Sequence, residues 1–79
     1  MTVTVRLYAT LRDLRPDLGP EVELDVGEGT TVAALIERLG IPPGIVRKVF
    51  VRGLAEDGSY VIRPGDEVAM FPPIAGGSA

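Results

Sequence analysis

Glu21-Val22-Glu23-Leu24-Asp25-Val26-Gly27-Glu28-Gly29-Thr30-Thr31-Val32-Ala33-Ala34-Leu35-Ile36-Glu37-Arg38-Leu39-Gly40 changes its period halfway along, and that change decides the fold. Up to Val26 acidic and apolar residues alternate, the mark of a strand with one face buried and one in water. Gly27-Glu28-Gly29 breaks it. Thr30 or Thr31 can cap the next element, in which Val32, Leu35, Ile36 and Leu39 recur at helical spacing, with Glu37 and Arg38 opposite. Gly40 stands where a left-handed C-terminal cap belongs, and Pro42-Pro43 prevents continuation. The glycines before the helix lack the Gly-Lys-Ser/Thr ending of a phosphate loop, so this is a strand-to-helix turn.

Upstream, Thr2 to Ala9 also alternates, with Val3, Val5, Leu7 and Ala9 on one face and Thr2, Thr4, Arg6 and Tyr8 on the other. Thr10 fits an N-cap with Asp13 three residues on, and Leu11 and Leu14 are expected to point inward from a short helical turn closed by Pro16 and Gly19-Pro20. Downstream, Lys48 to Arg52 reads as a third strand stopped by Gly53. Glu56 to Ser59 is turn chemistry, and Tyr60-Val61-Ile62 is a stub strand. Arg63-Pro64-Gly65-Asp66 fits a type II turn into a last strand, Glu67 to Phe71. One helix of two to three turns must lie on one face of a sheet. The fold expected is α+β, a β-grasp with a mixed four- to five-stranded sheet packed on one main helix. Residues 1–71 form the domain and 72–79 an extended C-terminal tail.

Seventy-nine residues make one domain, and 46% apolar against 24% charged residues make it a folded one. There is no cysteine and no histidine, so disulfides, thiolate nucleophiles and Ser-His or Cys-His dyads are excluded, and metal sites lose their usual ligands. No metal and no cofactor is expected on this chain. The net charge of −3 argues against nucleic acid and anionic membrane as partners. No apolar run is long enough to span a bilayer and no signal-peptide pattern opens the chain, so the cytoplasm is the expected location.

One sheet face is left without a helix. Alternation puts Arg6 and Tyr8 there, with Lys48, Phe50 and Arg52 from the third strand and Glu67, Ala69 and Phe71 from the last. Aromatic residues and arginine are enriched at interfaces because they bury large area at modest entropy cost. Arg6, Tyr8, Phe50, Arg52 and Phe71 are the expected partner-binding residues of the face.

The tail continues that surface. Pro72-Pro73 favours an extended path, and from Phe71 to Gly77 the chain can reach roughly 20 Å. Pro72, Pro73, Ile74 and Ala75 are therefore further candidates for partner contact. Gly76-Gly77 then removes nearly all side-chain bulk, which suits insertion into another protein's active site. A carboxylate on glycine leaves its carbonyl open to attack and has no stereocentre to scramble.

"VRLYATLRDL", "TTVAALIERLG" and "RPGDEVAMFPPIAGG" together resemble the ThiS/MoaD-like sulfur carriers, small ubiquitin-like proteins, over the whole chain to Gly77. The ending "FPPIAGG" is most similar to the small subunit of molybdopterin synthase. The resemblance implies that an ATP-dependent, ubiquitin-activating-like enzyme adenylates Gly77 and that a sulfur donor makes its thiocarboxylate. The tail then enters the synthase large subunit and gives sulfur to a pterin precursor. Catalytic groups other than Gly76-Gly77 belong to the partners. The family ends at the second glycine, whereas Ser78-Ala79 come after it here: either a processing peptidase, the further partner expected, trims them, or they are a remnant of cloning. Two other readings use the same residues: a protein modifier joined through Gly77, and a non-catalytic interaction domain.

Overall fold

The computed structural model describes residues 1–73. The expectations for Ile74, Ala75, Gly76, Gly77, Ser78 and Ala79, and with them most of the tail, lie outside the described residues.

Five strands form one sheet: β1 (Thr2–Leu7), β2 (Glu21–Asp25), β3 (Lys48–Val51), β4 (Leu54–Glu56) and β5 (Glu67–Phe71), with α1 (Thr10–Leu14), α2 (Val32–Arg38) and a 3-10 turn at Pro43–Ile45 between them. Their order across the sheet is β2-β1-β5-β3-β4. β1 pairs antiparallel with β2 and parallel with β5, which makes the sheet mixed. The segment carrying α2 makes the crossover that the parallel pair requires. The expected β-grasp architecture is the observed one.

Local chemistry accounts for the elements that matter. Thr31 caps α2, its hydroxyl oxygen accepting from the Ala34 N–H at 3.2 Å. Gly40 closes the helix at φ 74°, a left-handed conformation open to glycine at little cost. Val32, Leu35, Ile36 and Leu39 then join Val3, Val5 and Leu7 of β1, Val49 and Val51 of β3, and Val68 and Met70 of β5 in one buried cluster. The turn at Arg63–Asp66 has Gly65 at φ 79°, with the Asp66 N–H donating to the Arg63 carbonyl at 3.1 Å. That is the type II geometry expected of Pro-Gly at its centre.

Three expectations are corrected. The α1 cap position is held by Ala9, at φ 53° and without a side-chain hydrogen bond, not by Thr10. Leu14 is 49% exposed, because a five-residue helix presents only Leu11 to the core. The fourth strand is Leu54–Glu56, whereas Val61 of the expected stub makes only an isolated bridge to Thr31. The cause is a two-residue hairpin: Val51 pairs with Leu54 across Arg52 and Gly53, both at positive φ (53° and 81°) as a type I′ turn demands.

Candidate docking face

Register alone arranges the open face in rows. Residues paired across strands share a face, and rows two residues apart are about 6.6 Å apart along a strand. Phe71 pairs with Lys48, and Tyr8 comes next after the Leu7–Met70 pair, beside Phe71. The next row runs Glu21, Arg6, Ala69, Phe50 and Ala55, and the one beyond it Glu23, Thr4 and Glu67.

The aromatic side chains meet. Tyr8 stacks on Phe71 with ring centroids 4.5 Å apart and planes 9° from parallel, and Phe50 sets its edge against Phe71 at 5.6 Å. Both are favoured arrangements for ring quadrupoles. All three rings stay half-buried, while their strand neighbours Leu7, Val49, Val51 and Met70 are buried on the opposite face. Ala69 leaves a low floor beside Phe50. The patch lies at the end of β5, where the chain passes into Pro72, itself half-buried, and Pro73. Docking candidates Tyr8, Phe50 and Phe71 thus meet on the open face, and candidates Pro72 and Pro73 follow directly where β5 ends.

The two arginines are placed differently from expectation. The Nε of Arg6 lies 3.5 Å from Oε1 of both Glu21 and Glu67. Tyr8 first, then Glu67 and Glu21, raise the pKa of this guanidinium above its ordinary value. Arg6 remains on the face, but enclosed by charge of its own chain. Arg52 is not on the face at all. β3 ends at Val51, the turn breaks the alternation, and the Arg52 Nε lies 2.8 Å from the Asp66 Oδ1, without the alignment of a hydrogen bond.

Asp66 is the one charged residue buried among the described residues, at 1% exposure. Its Oδ2 accepts from the Tyr60 hydroxyl at 3.0 Å and from the Arg63 N–H at 2.9 Å. Burial, and then the bond to Asp66, push the Tyr60 hydroxyl up from its ordinary pKa. This cluster ties the β3–β4 turn, the loop before β5 and the start of β5 together. Its only signal in the sequence is an aspartate at the end of a turn.

The face also holds residues that alternation alone does not assign to a site. Lys48 is exposed beside Phe71, and Arg12 lines a shallow groove with Arg6, Leu7, Tyr8, Pro20 and Glu21. Glu23 is exposed and has no cation within 4 Å among the described residues. Among those residues no group of three or more His, Cys, Asp or Glu is placed to hold a metal ion, and no helix is long and apolar enough to cross a membrane.

A family model described as the ThiS family matches residues 5–77. No curated protein matches the chain significantly. Among solved structures, SAMP1 (small archaeal modifier protein 1) of Haloferax volcanii is similar at 26% identity and a TM-score of 0.68, covering 98% of this chain and 100% of that one. A Pyrococcus furiosus protein assigned provisionally as molybdopterin converting factor, subunit 1, is 24% identical at a TM-score of 0.76, with coverage of 94% and 99%. Small archaeal modifier protein 1 of Methanosarcina acetivorans is 22% identical at 0.71, with 96% of each chain covered. At these last two identities the likeness is one of fold.

Proposed function

The chain belongs to the ThiS family, and on that premise we propose that it is a sulfur carrier whose reactive group is the carboxylate of Gly77. Once the peptide bond after Gly77 is cut and Ser78-Ala79 leave, the Gly77 carboxylate attacks the α-phosphorus of ATP on a ubiquitin-activating-like enzyme. Pyrophosphate departs and an acyl-adenylate remains. A sulfide-level nucleophile then attacks the carbonyl, AMP leaves with the C–O bond, and a thiocarboxylate results. Its sulfur goes to a pterin precursor on the large subunit of a molybdopterin synthase. This destination is supported by the ending Phe71-Pro72-Pro73 and by the fold likeness to the Pyrococcus protein.

The observation that carries the reading is continuity: the Tyr8–Phe71 stack lies where β5 ends and Pro72-Pro73 begin. A partner seated on the rings holds the root of the tail, so docking and delivery are one event. Gly76-Gly77 enters the partner's active site, and no acid or base of this chain takes part. Pyrophosphate exchange into ATP, with an adenylating enzyme from the same organism, tests this. The form ending at Gly77 should support exchange and the full-length form should not. Exchange that is equal with both forms, or absent with both, would contradict the reading.

The modifier reading has its own support in the 26% identity to small archaeal modifier protein 1. It shares the acyl-adenylate but ends in attack by a target amine, which leaves an amide and releases AMP.

A further inference from the structure

We propose that the enzyme surface that docks on this face is apolar opposite the rings and cationic opposite β2 and the start of β5. This rests on the carrier reading, in which the face docks the activating enzyme. From the residues themselves, Arg6 and Arg52 suggest the reverse, a face that offers cations to an acidic partner. Arg52 is withdrawn to the buried Asp66. Arg6 stands between two carboxylates, each 3.5 Å from its Nε, so its charge is more than matched.

The remaining charge is segregated. The row of Tyr8 and Phe71 has Lys48 at one end and Arg12 nearby. Glu21, Glu23 and Glu67 lie one and two rows away around Arg6, and Asp25, beyond Glu23 on β2, bonds the Met1 ammonium at 3.0 Å and accepts from Arg38 at its carbonyl. Phe71 lies four positions after Glu67 on β5, so the acidic end is about 13 Å from the rings. That exceeds the Debye length of about 8 Å at physiological salt, so the acidic end acts on the partner charge seated opposite it and little on whatever covers the rings. Exposed Glu23 makes no ion pair among the described residues, so a partner cation meets it without first breaking one.

Complementary charge of this kind acts chiefly on encounter rate and on orientation. Here it turns the partner so that its apolar socket and the mouth of its active site lie over Phe71 and Pro72. The reversed pose sets partner cations against Lys48 and Arg12.

The test uses the Gly77-ending form as substrate in pyrophosphate exchange, with KM read against ionic strength. KM should rise about tenfold between low and high salt. Glu23→Lys should raise KM at low salt and flatten that slope. Arg6→Gln should lower KM, because it uncovers Glu21 and Glu67; a binding arginine would give the opposite sign. Thermal melts of each variant keep a folding defect from being read as weak docking. A salt-independent KM, no effect of Glu23→Lys, or an Arg6→Gln KM that rises would overturn the proposal while leaving the carrier reading standing. Absence of exchange with the unsubstituted form would overturn both.

Discussion

Replacing Phe71 with alanine separates docking from folding, and the cost of each can be worked from the ring geometry. Phe71 makes two ring contacts, a stack with Tyr8 at 4.5 Å and an edge contact with Phe50 at 5.6 Å. Such pairs contribute about 0.5–1.5 kcal/mol each, and these are only half-buried, so folding should lose about 1–2 kcal/mol. For a domain this size that lowers Tm by roughly 4–15 °C. The loss in docking should be larger. A central aromatic anchor leaves an empty socket in the partner when truncated, at a cost of about 2 kcal/mol or more, or roughly 30-fold in affinity. Urea midpoints at constant slope give the first quantity and KM in pyrophosphate exchange the second. Phe71→Leu should recover most of the stability and only part of the affinity. A large fall in Tm with unchanged KM would place Phe71 in the fold's own packing and remove it from the docking surface.

Leu35→Ala, at a fully buried position of α2, should lose about 2–5 kcal/mol and leave little folded protein, while Leu14→Ala, at 49% exposure, should change the melting midpoint little. Gly65→Ala should cost about 1 kcal/mol by calorimetry, because φ 79° disfavours any side chain although nothing lies within 4 Å of the added carbon. The Tyr60 hydroxyl is held above its ordinary pKa of 10.0 in the folded chain, by burial and then by Asp66, so the folded state keeps this proton longer than the unfolded state. The stability it supplies is complete below the unfolded pKa and is lost as pH rises through the folded one. Melts above about pH 10 should therefore fall more steeply for the unsubstituted chain than for Tyr60→Phe; equal slopes would rule that linkage out.

Much of the fold is legible in the sequence where a local signal carries it. β1, β2 and β5 announce themselves by alternation, and α2 by its Thr31 cap, its spacing and Gly40. The open face is legible too, because period two places Tyr8, Phe50 and Phe71 on the same side before any pairing is known. Alternation cannot supply the point where a strand stops. It extends Lys48-Phe50-Arg52 one residue past Val51, into a turn whose positive φ at Arg52 sends that side chain toward Asp66. The same turn hides β4: Leu54-Ala55-Glu56 has weak strand character and is held by pairing with β3, which no window on its own residues shows. Leu14 matches a helical spacing, but a helix of five residues has no second turn with which to bury it. The charge state of the face also depends on partners distant in sequence. Arg6 reads as an available cation until Glu21 and Glu67 arrive beside it from β2 and β5.

Whether Gly77 carries sulfur is read most directly from the mass of the intact chain. The Gly77-ending form is incubated with the adenylating enzyme, ATP and a sulfide source, then weighed. One sulfur should replace one oxygen in that form, and no such gain should occur in a form whose last glycine is deleted. An unchanged mass, while the same enzyme exchanges pyrophosphate into ATP with that form, would contradict sulfur carriage and leave Gly77 activated for an amine instead.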